Sequence, residues 1–138
     1  MQTAEPIVVG TDGTDHAERA VDRAGEIASA FGVTVHVVSA YSDDRTPLVG
    51  AGRQGDQAHA QQHVDRAQER LSKHGVESEG HLTNREAGRA LVALADEQHA
   101  QMIVVGNRGM VGARRVLGSV PDHVAHHAHC DVVIVHTT

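Results

Sequence analysis

Short apolar segments alternate with amphipathic helical patterns along this chain, and that alternation constrains the fold more than any other feature of the sequence. Two segments, Ile7–Gly10 and Met102–Gly106, are apolar runs that end in glycine, which is typical of strands buried on both faces. Three further strands are predicted at residues 33–40, 76–82 and 132–136. Apolar residues spaced three and four apart predict helices at residues 17–31, 56–74, 85–99 and 119–129. Thr14 or Asp15 can cap the first helix, and Gly32 can end it.

This order of elements predicts a five-stranded, doubly wound α/β fold of the Rossmann-like type. Strands joined by helices pair in parallel through right-handed crossovers, and the helices then cover both faces of the sheet. The strand at 76–82 has a high polar content, so we expect it near an edge; residues 41–55 have no period and predict a mobile surface loop. In such sheets, ligands bind beyond the carboxyl ends of the strands, where the strand order reverses. The relevant ends here are residues 10–13, 40–41 and 106–109.

Length and composition fit one domain spanning residues 1–138, and they exclude several classes of function. The net charge of −6 argues against nonspecific nucleic-acid binding, which needs an excess of lysine and arginine. The longest apolar run, residues 90–95, is too short to cross a bilayer, and the N-terminal sequence lacks the features of a signal peptide. A single cysteine, Cys130, cannot form an internal disulfide, so we expect a cytoplasmic protein.

A glycine-rich segment at residues 106–119 is the most informative functional signal in the sequence. It leaves a predicted buried strand and enters a predicted helix, so its glycines and the N–H groups of the helix start can approach a phosphate closely. No acidic residue lies between Glu97 and Asp122, but three arginines do: Arg108, Arg114 and Arg115. Position and charge together predict an anion site; the alternative is a glycine-rich connection with solvated arginines.

The turn after the first strand, Gly10–Gly13, offers a different chemistry. It lacks the G-x-G-x-x-G dinucleotide fingerprint, and the only lysine of the chain, Lys73, lies in a polar helix and not in a P-loop. Asp12 would repel a phosphate, but it can accept hydrogen bonds from a ribose or a base, or hold a metal ion that accompanies phosphate. The alternative is that Asp12 only caps the turn before the first helix.

The chain resembles the nucleotide-binding branch of the universal stress protein family over nearly its whole length. Three segments carry the resemblance: VVGTDGT at 8–14, VVGNRGMVGARRVLGSVPDHV at 104–124 and CDVVIVHTT at 130–138. The family signature is Gly, two residues, Gly, nine residues and then Gly-Ser or Gly-Thr. Gly106, Gly109 and the pair Gly118-Ser119 match it, except that only eight residues separate Gly109 from Gly118.

The resemblance implies an adenine-nucleotide-binding protein with a stress or regulatory role. ATP is the first candidate ligand and cAMP the second. The resemblance leaves open whether Mg²⁺ accompanies the ligand. The positions it implies are Gly10, Thr11 and Asp12 at the adenosine end, Ala40 at the adenine edge, Gly106, Arg108 and Gly109 at the ribose and first phosphates, and Gly118, Ser119 and Val120 at the distal phosphates. It also implies a homodimer paired through the last strand, residues 132–135. Any ATP hydrolysis should be slow, since no general base or Walker-type lysine is evident.

The chain contains 12 histidines, a number that invites a metal-binding interpretation. The candidate groups are the pairs His59/His63 and His123/His127 and the cluster of His126, His127, His129 and Cys130. Neither pair belongs to an H-E-x-x-H motif, and adjacent helical positions point to different faces. We therefore predict no metal site, solvated histidines, and a Cys130 that packs between a helix and a strand.

Two other classes of function stay open at this stage. The one-residue-shorter spacer after Gly109 favours an interaction protein, a dimer of the same fold that has lost its nucleotide. An enzyme with another adenylate chemistry would need a pocket with titratable groups beyond Asp12. No pair of carboxylates in the sequence stands out as an acid–base team for that purpose.

Overall fold

A computed structural model of the chain describes residues 4–42, 56–107 and 118–137 and shows a five-stranded parallel sheet. The elements are β1 (Ile7–Gly10), α1 (Asp15–Phe31), β2 (Val35–Ala40), α2 (Gln57–Lys73), β3 (Ser78–Thr83), α3 (Ala87–Gln98), β4 (Met102–Gly106), α4 (Ser119–His127) and β5 (Asp131–Val135). The strand order is β3-β2-β1-β4-β5, and every neighbouring pair is parallel. The predicted fold class is confirmed, and so is the position of β3 at an edge.

Helices cover both faces of the sheet because successive strand residues point to opposite sides. On one face, Ile7 and Val9 of β1 pack with α1 and α2, where Val21 and Leu71 are fully buried. On the other face, Val8 packs with buried residues of α3 and α4. Strand β1 is therefore apolar on both sides, as its sequence predicted. None of the helices in the described ranges combines the length and the apolar sequence that a membrane span needs.

Two strands begin later than predicted because the preceding helices end in left-handed glycine turns. At the end of α1, Gly32 has a φ of 70°, and the N–H groups of Gly32 and Val33 both donate to Ala28 O (2.8 and 3.1 Å). Val33 therefore belongs to the helix-ending turn, and β2 starts at residue 35 instead of 33. Gly75, with a φ of 72°, ends α2 similarly, so β3 starts at residue 78 instead of 76. The limits of α3, α4 and β5 differ from those predicted by at most two residues.

An ion-pair network joins α1 to α2 along the surface of one helical layer. Arg70 of α2 contacts Asp22 (2.5 Å) and Glu18 (3.2 Å) of α1, and Arg66 contacts Glu18 (2.7 Å). Burial on its own would raise the pKa of Asp22, but hydrogen bonds and charge from Arg70 and then His74 lower that pKa below its ordinary value. Asp22 is thus held in its charged form, and the two helices share a polar connection in addition to their apolar contact.

The strand order marks the carboxyl edge between β1 and β4 as the place where sheets of this type form a binding crevice. From β1 the chain continues to β2 on one side, whereas β4 pairs with β1 on the other side, so the order reverses between β1 and β4. The register Val9↔Val104 brings Gly10 and Gly106 to this edge of the two neighbouring strands. This is the switch point at which the sequence predicted a ligand. Of the loop predicted at 41–55, residues 43–55 lie outside the described ranges.

Candidate functional site

The turn that follows β1 is held by hydrogen bonds among its own residues. Thr11 is buried, donates its N–H to Val38 O (2.9 Å) and accepts the Gly13 N–H at its hydroxyl (3.1 Å). Asp12 Oδ1 accepts both the N–H and the hydroxyl of Thr14 (3.0 and 2.6 Å), and Thr14 caps α1. The turn-capping role considered for Asp12 is therefore present. A contact of Asp12 with a ligand stays a prediction.

A buried asparagine immediately after β4 organises the other side of the crevice. Asn107 is 2% exposed; its Oδ1 accepts the N–H and the hydroxyl of Thr137 (2.9 Å each), and its own N–H donates to Val135 O (2.9 Å). Thr137 O in turn accepts a hydrogen bond from Arg19 Nη1 (2.6 Å) and lies 2.9 Å from His16 Nδ1. The residues after β5 are thus fixed to both β4 and α1. Sequence reasoning missed Asn107 and Thr137, because single polar residues in a glycine-rich loop and near a chain end produce no periodic or charge signal.

Two of the predicted glycines lie close to side chains of the protein itself. A β-carbon at Gly10 would lie 3.3 Å from Leu91 Cδ2, and one at Gly106 would lie 3.1 Å from Thr137 Cγ2. Neither glycine has a positive φ, and Gly118 has a φ of −63°. The sequence interpretation explained glycines in this region by positive φ and by the close approach of a ligand. At Gly10 and Gly106, the structure instead shows tight contacts with Leu91 and Thr137, which a larger residue would have to displace slightly.

Helix α4 begins at amide groups for which the described part of the chain shows no side-chain cap. Gly118 accepts the Asp122 N–H at its carbonyl (3.0 Å), but it has no side chain to bind the N–H groups of Ser119 and Val120. Pro121 has no N–H to offer. Ser119 is exposed, whereas Val120 packs partly against the core. Two amides and a hydroxyl therefore lie at the positive end of the helix dipole, a combination suited to phosphate.

The end of β2 contains a polar group that sequence reasoning also missed. Ala40, the predicted contact for the adenine edge, is the last residue of β2 and pairs with Thr83 of β3. The preceding residue, Ser39, is 1% exposed, and its hydroxyl has no hydrogen-bond partner among the residues that the structure describes. Buried hydroxyls in proteins almost always have a partner. Ser39 is therefore a candidate for contact with a polar atom of a ligand.

The predicted site residues fall into two described groups. Gly10, Thr11, Asp12, Ala40 and Gly106 lie at the carboxyl edge of β1, β2 and β4, and Gly118, Ser119 and Val120 form the start of α4. Arg108 and Gly109 lie outside the described residues. The sheet thus brings together positions that are up to 96 residues apart in sequence, counted from Gly10 to Gly106.

A shallow depression of about 590 Å³ lies beside the start of α4, and its lining combines hydrogen-bond donors with carboxylates. Ser119 and His123 line it, but so do the carboxylates of Glu86 and Asp122. Glu86 also accepts the Gly88 N–H (3.2 Å) and caps α3. Because two carboxylates line this depression, the carboxyl edge of β1 and β4 is the better candidate site for the nucleoside, with the α4 amides at its phosphate end.

Several of the histidines singled out in the sequence contact neighbouring side chains. The rings of His123 and His127 stack with their centroids 4.1 Å apart, and His129 Nδ1 lies 3.1 Å from Asp96 Oδ1. A different group, on β2 and β3, places three metal-binding side chains together: His36, Glu79 and His81. That group was not predicted, because its members are scattered in sequence.

Cys130 lies between α4 and β5, as predicted for a packed cysteine. It is partly buried and contacts the core on the α3–α4 face. Burial raises the pKa of the Cys130 thiol, and the charges of Asp131 and Asp96 raise it further. The thiol is therefore held in its protonated form, which is the less reactive one.

Comparison with known proteins identifies one family. The model of the universal stress protein family matches residues 3–136. Universal stress protein Rv1636 of Mycobacterium tuberculosis is 38% identical over 148 aligned residues, which span 100% of this chain and 100% of that protein.

Solved structures give the same result and add ligands. A universal stress protein solved in complex with cAMP has 36% identity and a TM-score of 0.80, and the match covers 97% of this chain and 98% of that one. The universal stress protein from Archaeoglobus fulgidus in complex with dAMP has 34% identity and a TM-score of 0.72, and the match covers 95% of this chain and 97% of that one.

Proposed function

Because the chain belongs to the universal stress protein family, we propose that it binds an adenine nucleotide in the crevice between the carboxyl ends of β1 and β4. The observation that carries the proposal is the reversal of strand order at this edge, which opens a binding crevice in sheets of this type. The similar structures with cAMP and with dAMP support adenine as the base. Both ligands contain one phosphate, so the nucleoside and its first phosphate are the parts that we expect the chain to recognise.

The residues present fit such a ligand. The amides of Ser119 and Val120 at the start of α4, with the Ser119 hydroxyl, would supply donors for phosphate oxygens. Asp12 supplies a carboxylate for a ribose hydroxyl, and the backbone at Ala40 supplies donors and acceptors for the adenine edge. Arg108 and Gly109 complete the predicted set from outside the described residues. When bound, the nucleotide would bring its phosphates to a site without a predicted general base, so hydrolysis should be slow at most.

ATP as the first ligand and cAMP as the second stay predictions that calorimetry can separate. The purified full-length chain is titrated with ATP and with cAMP, each with and without Mg²⁺. Denaturing the purified protein and weighing the released small molecules shows which nucleotide it carries. Failure to bind either nucleotide would remove this proposal and favour the dimeric interaction protein instead.

The Gly118→Val variant tests the amide site. The backbone of Gly118, with φ −63° and ψ 165°, is allowed for valine, so the fold should survive the change. The added side chain would crowd the amides at the start of α4, and we expect nucleotide binding to be lost. Ala125→Val is the matched control, because it adds a similar side chain at an exposed position of the same helix. Equal affinity in Gly118→Val and the control would show that the phosphate lies elsewhere.

The Ser39→Ala variant tests whether the buried hydroxyl contacts the ligand. Without ligand, the change removes a buried polar group that has no partner in the described part of the chain, so stability should rise by about 1 kcal/mol. If the hydroxyl contacts the nucleotide, affinity should fall at the same time. Higher stability with unchanged affinity would exclude Ser39 from the site.

We further propose that two copies pair through β5, as the family resemblance implies. Strand β5 is an edge strand of the sheet, and Ile134 on it is 40% exposed. An apolar edge strand is a surface on which a second strand can pair. Ile134→Lys should convert a dimer to a monomer in light scattering, and an unchanged mass would place the interface elsewhere. A cytoplasmic location and the absence of nucleic-acid partners also stay predictions.

A further inference from the structure

The most complete cluster of unassigned polar side chains lies on β2 and β3, away from the strand ends of the nucleotide crevice. His36 on β2 is directly opposite Glu79 on β3, and His81 is opposite Val38, two residues further along. Because strand residues two apart share a face, all three side chains are on one side of the sheet. His36 Nδ1 lies 2.9 Å from His81 Nε2 and 3.3 Å from Glu79 Oε2.

We propose that His36, Glu79 and His81 form a binding site for a divalent transition-metal ion of the zinc class. One ligand atom from each of the three residues lies within 4.8 Å of the other two. Two ligands on a tetrahedral zinc ion, with bonds of about 2.0–2.1 Å, are about 3.3 Å apart. The separations of His36 Nδ1 from its two neighbours, 2.9 and 3.3 Å, are close to that value. Small side-chain rotations would therefore bring all three atoms to one ion.

The chemistry of the ligand set selects the metal. Two imidazoles and one carboxylate suit zinc, nickel or copper, whereas Mg²⁺ requires oxygen ligands. The site is thus distinct from one for a Mg²⁺ ion that accompanies a nucleotide phosphate. Three protein ligands leave a fourth position for water, as in zinc sites that bind an exchangeable ligand.

The surroundings hold one side of the site and leave the other open. His36 is 5% exposed, whereas the Glu79 side chain is 71% exposed. A metal ion binds the neutral form of an imidazole ring, and the buried His36 ring already has its Nδ1 turned towards both neighbours. The opposite face of β3 is fixed against α2, where Gln68 donates to Ser78 O (3.3 Å). The ion would therefore have a fixed inner ligand and an open path from solvent.

Calorimetric titration of the full-length chain with zinc chloride, without added nucleotide, tests the proposal. We expect a tight site of one zinc ion per chain. Glu79→Gln and His81→Asn should each weaken zinc binding at least about tenfold. That is the lower limit for losing a residue that only supports a metal ligand, and loss of a ligand itself should cost no less. His129→Asn is the matched control, since His129 is exposed and also contacts a carboxylate, that of Asp96. It should leave the tight site unchanged.

Titration with cobalt provides a second readout that depends on coordination geometry. The full-length chain should give a visible absorption spectrum typical of four- or five-coordinate cobalt, and His81→Asn should lose it. Because Glu79 and His81 are on an edge strand and Glu79 is exposed, both variants should keep the circular dichroism of the parent chain. Zinc affinity that is unchanged in folded Glu79→Gln and His81→Asn, or reduced equally in His129→Asn, would overturn the proposal.

Discussion

The hydrogen bonds of Asn107 should make it one of the most sensitive polar positions of the chain. In Asn107→Ala, the buried N–H of Thr137 loses its acceptor, which costs about 1–3 kcal/mol. The Thr137 hydroxyl loses its bond to the same oxygen, a loss of about 1 kcal/mol. Together these losses predict a free energy of unfolding lower by about 2–4 kcal/mol. Because Asn107 directly follows Gly106, nucleotide affinity should fall as well.

Urea unfolding followed by far-ultraviolet circular dichroism measures this effect, since the chain has no tryptophan to serve as a fluorescent probe. With an m-value of about 2 kcal/mol per M, the midpoint should fall by roughly 1–2 M at fixed protein concentration. Thr137→Val is the matched control, because it removes only the hydroxyl bond and should cost about 1 kcal/mol. If the two variants unfold at the same urea concentration, the Asn107 side chain does not hold the segment after β5 as argued.

Three further predictions test the packing of α1 and α2 and of the glycine turns on either side of α1. Asp22→Asn should reduce the loss of stability in acid, because the pKa of Asp22 is lowered in the folded state. The stabilisation by the Asp22 carboxylate is complete above the ordinary pKa of 3.8 and is lost as the pH falls through the folded-state pKa. Thermal unfolding at a series of pH values measures this loss, and parallel stability curves for the variant and the parent chain would contradict it. Leu71→Ala should lower the free energy of unfolding by about 2–5 kcal/mol, because Leu71 is fully buried, and a urea midpoint near that of the parent would show that the core can close the cavity. Gly13→Ala should lower the free energy of unfolding more than Gly32→Ala does in the same assay. Both positions have a positive φ, which costs alanine about 1–2 kcal/mol, but only at Gly13 would the added carbon also overlap a histidine ring of α2. Equal losses of stability in the two variants would refute the steric argument.

The architecture could be predicted from the sequence because local patterns carry it. Ile7–Gly10 and Met102–Gly106 have the same limits in the structure as in the sequence analysis, since a short apolar run ending in glycine has few other uses in a sheet covered on both faces. Thr14 and Gly32 cap α1 as predicted, because each forms its capping hydrogen bond with a residue only three or four positions away in sequence. The errors are at the starts of β2 and β3, where β-branched or apolar residues first complete a helix-ending turn.

The site could be predicted only in part. Glycines and arginines cluster in sequence, so the segment at 106–119 was visible as a candidate anion site. Asn107 and Thr137 are 30 residues apart, and each has a role only through the other. The orphan hydroxyl of Ser39 depends on burial, which a serine within a strand pattern does not reveal. Single long-range polar contacts of this kind become visible only when the strands are placed side by side.

The histidine cluster shows why strand register has to be known before such a site can be found. A shift of β3 by one residue would turn Glu79 and His81 to the α2 face and leave Gly80 on the side of His36. Gly80 prevents that shift. In the observed register it faces α2, and a β-carbon there would run into Val64. Only glycine fits at this position, so the residues on either side of it must point away from α2. Gly80, which lets β3 lie close to α2, thus also directs the side chains of Glu79 and His81 towards His36.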